Sequence, residues 1–248
     1  MASTITVKIL RRDSPRAEPR WEQFTVRYKK NLNIISLLME IRKNPRTAEG
    51  QPTTPVVWDA NCLENVCGSC TMLVNGRVAQ ACAVLVDQID KPIELRPMTK
   101  FPVVRDLVVD RSKMFEDLKR VKAWISIDGT HHLGPGPKVG DQIQQQRYVM
   151  STCMTCGCCL EVCPQINSRS DFIGAAAINQ VRLFNQHPSG ALNAHQRLEA
   201  LMEPGGIQDC GNAQNCVKIC PKHIPLVTSI AEVNRQVLGH SLKLLLRT

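Results

Sequence analysis

Cys153-Met-Thr-Cys156-Gly-Cys158-Cys159-Leu-Glu-Val-Cys163-Pro164 and Cys210-Gly-Asn-Ala213-Gln-Asn-Cys216-Val-Lys-Ile-Cys220-Pro221 are two passes of one pattern. Each runs C-x2-C-x2-C-x3-C-P, a spacing that holds iron–sulfur clusters, with Ala213 standing in the second run where a cysteine would be. Two-residue gaps let three thiolates converge on one cluster from a single loop. The three-residue step and its proline then carry the fourth cysteine away.

In two-cluster ferredoxins that fourth cysteine ligates the other centre. Applied here, Cys153, Cys156, Cys159 and Cys220 hold a [4Fe–4S] centre, and Cys163, Cys210 and Cys216 hold a second one. A methyl group cannot bind iron. The corner facing Ala213 is therefore expected to lack a ligand and the centre to be [3Fe–4S]; water or hydroxide is the other occupant open to that corner. Cys158 lies between two of these ligands, and counting it as one would break the two-residue gap. It reads as a small buried residue.

A third cysteine group, Cys62-x4-Cys67-x2-Cys70-x11-Cys82, has the plant-type [2Fe–2S] spacing. Gly68 leaves that loop's backbone free to wrap closely, and wrapped amides can donate to the sulfurs and tune the potential. A structural zinc site is the competing reading. Tetrahedral zinc favours two short cysteine knuckles, and Cys82 has no such partner.

The surrounding residues supply two modules. Ile5, Val7 and Ile9 alternate with polar residues, as do Phe24, Val26 and Tyr28, which predicts two half-buried strands separated by the long turn Asp13 to Arg20. Ile34, Ile35, Leu37, Leu38 and Ile41 fall at helical spacing, and Asn44-Pro45 ends that helix. Thr71 to Val74 and Arg77 to Ala81 flank Asn75-Gly76, a type I′ hairpin signal, and Ile93 to Leu95 is a last short strand. The order β-β-α-β-β-β suits a β-grasp. The fold class is thus α+β: a β-grasp plant-type ferredoxin domain over 1–105, then an all-α bacterial-ferredoxin-like domain over 106–248 that holds the other two centres.

In the second module, helices are predicted within Phe101 to Lys122, over Phe172 to Phe184, over Ala194 to Met202 and over Leu226 to Leu246, the last interrupted at Gly239. Gly134-Pro135-Gly136-Pro137 is a loop in the joining segment. Mixed charges keep Leu226 to Leu246 from reading as a membrane span, and no stretch approaches the ~18–20 apolar residues a span requires. The first residues, MASTITVKIL, lack a basic stretch followed by an apolar run, so no signal peptide is expected. A cytosolic, reduced chain follows, in which clustered cysteines mean metal rather than disulfides.

The formal charge of +9 invites nucleic acid as a partner. Each oxidised cluster with its thiolates carries roughly two negative charges, so three clusters would bring the total to about +3, and no nucleic-acid role is expected. The densest basic group, Arg105, Arg111, Lys113, Lys119, Arg120 and Lys122, alternates with Asp106, Asp110, Glu116 and Asp117 and reads most simply as a solvated helix face, with a docking surface the minority reading. His131-His132 and His187 have no second ligand group nearby and read as structural or surface residues. Lys222-His223 fits a plain loop as well as a contact with quinone or lipid phosphate.

Over nearly its whole length the chain resembles the iron–sulfur subunit of succinate dehydrogenase and fumarate reductase, respiratory complex II. The likeness rests on the three cysteine groups, on Leu95-Arg-Pro-Met98, on Asp106-Leu-Val-Val-Asp110 and on Cys216-Val-Lys-Ile-Cys220-Pro221-Lys222. Some family members carry Asp where Cys70 stands, and the position of Ala213 is aliphatic with a [3Fe–4S] centre. The resemblance implies electrons passing from the FAD of a flavoprotein subunit through [2Fe–2S], [4Fe–4S] and [3Fe–4S] to quinone at a membrane anchor, with no bond-making site on this chain. It implies a peripheral place on the cytoplasmic face of the cell membrane. Ubiquinone-type relatives have a tryptophan shortly after the first Cys-Pro and a histidine after the first cysteine of the second run. Here Gln165-Ile166-Asn167-Ser168 and Gly211 stand there. The chain is therefore similar to the menaquinone-linked Gram-positive branch, whose anchor is a cytochrome b subunit, with Pro164, Gly211 and Asn212 in the quinone vicinity. The reverse direction, fumarate reduction by menaquinol, a subunit of another flavoprotein reductase such as a thiol-linked one, and a non-redox zinc module are the alternatives.

Overall fold

Ile5, Val7 and Ile9 are buried on one face of a first strand, and Phe24 and Val26 are buried on the strand paired with it, as period-two alternation requires. The computed structural model describes residues 4–126 and 137–246. Its elements in chain order are β1 (Thr4–Arg11), β2 (Arg20–Arg27), α1 (Ile34–Lys43), β3 (Thr71–Val74), β4 (Arg77–Gln80), β5 (Ile93–Arg96), β6 (Val103–Arg105), β7 (Val108–Val109), α2 (Ser112–Arg120), α3 (Asp141–Ser151), α4 (Cys158–Glu161), α5 (Gly174–Asn185), α6 (Pro188–Ala191), α7 (Ala194–Met202), α8 (Asn215–Ile219) and α9 (Leu226–Leu245). The chain divides into two units: Met1–Arg111 with Met154–Glu161, and Ser112–Cys153 with Val162–Thr248.

The first unit holds a mixed sheet in the order β2-β1-β5-β3-β4. β1 and β5 pair in parallel, Val7 opposite Ile93 and Ile9 opposite Leu95, and the other pairings are antiparallel. The β3–β4 turn is Asn75-Gly76 with φ of 48° and 76°, the positive pair a type I′ hairpin needs. Asn33 caps α1, its Oδ1 accepting from Ser36 N at 2.8 Å. The apolar face Ile34, Ile35, Leu37, Leu38 and Ile41 is buried in the core with Cys70 and Cys82. Each such side chain contributes roughly 1.5–3 kcal/mol on burial.

A fully buried ion pair closes this unit. The Asp106 carboxylate, at 0% exposure, accepts from Arg11 Nε at 2.8 Å, Arg11 Nη2 at 3.1 Å, Arg12 N at 3.1 Å and Val57 N at 2.9 Å. Arg11 also reaches Glu22 at 2.7 Å. The bidentate fork and the two backbone donors satisfy both oxygens, the condition under which a buried pair is tolerated. Asp106 was expected on a solvated helix face. It instead sits in the turn between β6 and β7, two short strands that the periodicity did not reveal, and Asp117 is buried as well.

The regular elements of the second unit are helical among the described residues. α5 and α7 bury Ile178, Val181, Leu198 and Leu201, and α9 lays Val233 and Val237 against them. Arg197, at 1% exposure, donates to the carbonyls of Lys122, Gly190 and Trp124 and ties three segments together. Two expectations are corrected here. α9 runs through Gly239 without interruption: a mid-helix glycine costs only about 1 kcal/mol, and good helix formers with a buried stripe outweigh it. The segment read as a joining stretch contains α3, whose run of glutamines carries no apolar period. The Gly134-Pro135-Gly136 break and the His131-His132 pair lie outside the described residues. His187 caps α6, its ring Nδ1 accepting from Gly190 N at 3.4 Å.

Asp106→Ala, which leaves Arg11 buried beside lost partners, is expected to lower stability by about 3–5 kcal/mol. The paired change Arg11→Met with Asp106→Leu is expected to cost less, because no charge is left alone. Denaturant midpoints at unchanged slope check both.

Candidate metal centres

The loop Cys62–Cys70 winds through left-handed backbone at Leu63, Asn65 and Gly68, with φ of 60°, 57° and 74°. These turns aim amides at sulfur. The N–H groups of Glu64, Val66 and Cys67 donate to Cys62 Sγ at 3.4, 3.3 and 3.3 Å, and Ser69 N donates to Cys67 Sγ at 3.5 Å. The backbone N–H of Cys62, aided by the Ser69 hydroxyl and amide, holds the Cys67 thiol down at about 6. Burial, the largest cause, pushes Cys70 up to about 12. Cys82 lies in the short turn Ala81–Ala83 and is tied to α1, because Asn33 Nδ2 donates to its carbonyl at 3.1 Å.

The four cysteines form two close pairs. Cys62 and Cys67 interact through their side chains, as do Cys70 and Cys82, and Cys67 lies within electrostatic reach of Cys70. Two pairs of thiols suit two irons. Amides converging on sulfur fit an anionic cluster, since they stabilise the charge that the ligated thiolates and sulfides carry.

Gly68 has a second neighbour. A Cβ on it would sit 2.7 Å from Met154 O and 2.9 Å from both Cα and Cβ of Cys156, so only glycine fits. The segment Met154–Glu161 therefore belongs to the first unit and brings Cys156, Cys158 and Cys159 with it, all three buried. Its far end is fastened by Glu161, which accepts from Thr99 N at 2.8 Å, Thr99 Oγ1 at 2.6 Å and Lys100 N at 3.0 Å. The Cys156 thiol is drawn down to about 7, first by the Cys158 thiol, while Cys158 itself is pushed up by that same contact and by burial.

Arg111 corrects the solvated-face reading a second time. Its Nη1 donates to Gly68 O at 2.6 Å and its Nη2 to Ser69 O at 2.7 Å. Burial, the largest cause, lowers its pKa, opposed by the attraction of Asp59 and of nearby Cys156, Cys158 and Cys70. A guanidinium fixed to the cluster loop places positive charge where a cluster would be negative. No motif marks Arg111, Glu161 or Gln80, and sequence reasoning missed all three.

In the second unit, Cys163, Cys210 and Cys216 line one cavity together with Ala213. Pro164, Gly211 and Asn212 line the same cavity. Asn212 and Gln214 adopt φ of 51° and 61°, which bends the loop around the space before α8 begins. Burial, the largest cause, raises the Cys216 thiol, with Cys163 and Cys210 adding to the rise. Three thiols and a methyl around one space fit a cluster with one unligated corner. Cys153 and Cys220 also belong to this unit. Cys153 N donates to Met150 O at the end of α3, and Cys220 ends α8. Among the described residues, no three or more His, Cys, Asp or Glu converge on one point as the ligands of a single ion would.

Family comparisons agree with this layout. A 2Fe-2S iron-sulfur cluster binding domain matches residues 6–116, and a 4Fe-4S dicluster domain matches residues 149–224. The succinate dehydrogenase iron-sulfur subunit of Bacillus subtilis is 59% identical over 94% of this chain and 92% of its own length. This chain belongs to the family of succinate dehydrogenase and fumarate reductase iron–sulfur subunits. The fumarate reductase iron-sulfur subunit of Wolinella succinogenes is 28% identical over 96% of this chain and 99% of its own. A chain of the solved Mycobacterium smegmatis Sdh1 complex in the apo form shares the fold, with a TM-score of 0.81 at 19% identity, covering 96% of this chain and 97% of that one. The chain carries both kinds of cluster domain, and no helix among the described residues is long and apolar enough to cross a membrane.

Gly68→Ala is expected to destabilise the first unit by more than the ~1–2 kcal/mol that left-handed backbone alone costs, because the new methyl meets backbone. Arg111→Leu is expected to remove two charge-assisted hydrogen bonds, each worth about 1.5–3 kcal/mol. Thermal unfolding alongside the intensity of the [2Fe–2S] signal checks both, with both quantities falling together.

Proposed function

We propose that this chain is the electron-transfer subunit of a succinate:menaquinone oxidoreductase, joining a flavoprotein that carries FAD to a cytochrome b membrane anchor. The observation that carries the reading is the cavity lined by Cys163, Cys210, Cys216 and Ala213: one corner of a four-iron site has been withdrawn. The ligand sets are Cys62, Cys67, Cys70 and Cys82 for [2Fe–2S], Cys153, Cys156, Cys159 and Cys220 for [4Fe–4S], and Cys163, Cys210 and Cys216 for [3Fe–4S]. When bound, the three clusters supply one-electron steps between a two-electron flavin and a quinone.

The residues of the chain do the rest. The thiolates fix the centres, the amides of the Cys62–Cys70 loop hold the charge on sulfur, and the apolar packing around Cys70 and Cys82 excludes water. The central parallel β1–β5 pair with α1 packed on the sheet supports a β-grasp for the first domain. The centre that lacks an iron and a thiolate is the terminal acceptor of the three. Pro164, Gly211 and Asn212, on the walls of that cavity, are the candidates for the quinone side. The chain then lies on the cytoplasmic face of the membrane, held by its anchor. The 59% likeness to a succinate dehydrogenase subunit favours succinate oxidation over fumarate reduction. It also favours iron over zinc.

The complex purified with its flavoprotein and anchor is expected to show separate EPR signals for the three centres, with a [3Fe–4S] signal in the oxidised state. Ala213→Cys is expected to convert that centre to [4Fe–4S], abolishing the oxidised signal and lowering the potential. An oxidised signal that persists after the substitution, or zinc in place of iron, counts against the reading.

A further inference from the structure

Gln80 ends β4 and is 3% exposed. Its amide meets three groups. Cys70 Sγ donates to Oε1 at 3.6 Å, while Nε2 donates to Thr71 Oγ1 at 2.6 Å and to Cys158 Sγ at 3.5 Å. Thr71 Oγ1 in turn donates to Gly68 O at 2.9 Å. Cys158 is 2% exposed and stands between Cys156 and Cys159. One buried amide therefore touches a ligand proposed for [2Fe–2S] and the non-ligand thiol enclosed by two ligands proposed for [4Fe–4S]. All of these residues lie in the first unit.

The direction of these bonds suits the protein without iron. A ligated Cys70 is a thiolate and can only accept. An amide oxygen facing it is repelled. Half a turn about the last side-chain bond exchanges Oε1 and Nε2 with little change of shape, so the cost is small and the gain is a charge-assisted bond. After that turn Oε1 faces Thr71 and Cys158, both able to donate. Gly68 O, which gives up the Thr71 hydroxyl, keeps Arg111.

We propose that with iron bound Gln80 donates Nε2–H to Cys70 Sγ and accepts from the Cys158 thiol and the Thr71 hydroxyl, a relay that raises the potential of the [2Fe–2S] centre. This rests on the ligand sets proposed above. The Cys70 proton leaves to solvent as iron binds; the turn of the amide itself transfers no proton and changes only donor directions. The incoming electron makes the thiolate a stronger acceptor, so the donor stabilises the reduced form more than the oxidised one. The Cys158 thiol on Oε1 polarises the amide and strengthens that donation. Gln80 and Cys158 are positioning residues, acting on the centre through the sulfur of Cys70.

The test is an EPR redox titration of the [2Fe–2S] signal in the purified complex, with iron and sulfide content measured alongside. Gln80→Leu removes the donor at similar volume and is expected to shift the reduction equilibrium on the order of tenfold toward the oxidised form, about 59 mV lower for a one-electron couple. Cys158→Ala is expected to lower the potential by less, and Cys158→Ser, which keeps a donor, to return it toward the parent value. An unmoved potential in Gln80→Leu at full cluster content overturns the relay, as does an equal shift in the Ala and Ser variants. If Gln80→Leu does not assemble, the Cys158 pair decides. A parent complex without a [2Fe–2S] signal overturns the ligand sets themselves, a result distinct from an unmoved potential.

Discussion

Gly68 has no room for a side chain. Its backbone lies against the backbone of Met154 and Cys156 at distances no Cβ tolerates, and the geometry of the first unit follows from that contact. The Cys62–Cys70 loop turns its amides inward through left-handed backbone at Leu63, Asn65 and Gly68. Arg111 then holds the two carbonyls at the loop's end. Thr71 and Gln80 fill the space left between this loop and the Cys156–Cys159 stretch.

The electrostatic problem in this unit is how to keep anionic sulfur in a dry core. Two devices solve it at different places. At Cys62 and Cys67 the charge is met by backbone N–H groups, which cost nothing in side-chain entropy once the loop is fixed. At Cys70, deeper in the core, the burial that raises its thiol must be offset by groups that come from elsewhere in the chain. The Arg11–Asp106 pair is a further instance of the same rule, with every oxygen of Asp106 given a donor.

Much of the fold could be read from residues alone. Period-two alternation placed β1 and β2, Asn75-Gly76 placed the β3–β4 turn, and five apolar residues at helical spacing placed α1. These are local signals, settled by neighbours in the chain. The spacings within each cysteine run were local too, and the structure gathers Cys62 with Cys67, Cys70 with Cys82 and, from two separate runs, Cys163 with Cys210 and Cys216. What escaped reading was non-local or lacked a period. Asp106 and Arg111 look like surface charges until Arg11 and the carbonyls of Gly68 and Ser69, distant in sequence, are brought to them. α3 has no apolar stripe to announce it, and Gly239 has too small a penalty to break α9. Cys158 was recognised as buried, but its neighbour Gln80, in a different module of the sequence, could not be foreseen.

The place of Met154–Glu161 has a consequence for biosynthesis. The sheet, α1 and the Cys62–Cys70 loop all precede Arg111, yet one wall of their unit is translated some forty residues later. A nascent chain halted at Arg111 would leave Gly68 and Gln80 without the Met154–Glu161 segment that packs on them. The amino-terminal unit thus stays unfinished on the ribosome until Glu161 has emerged, and the order in which the chain is made is not the order in which its parts close.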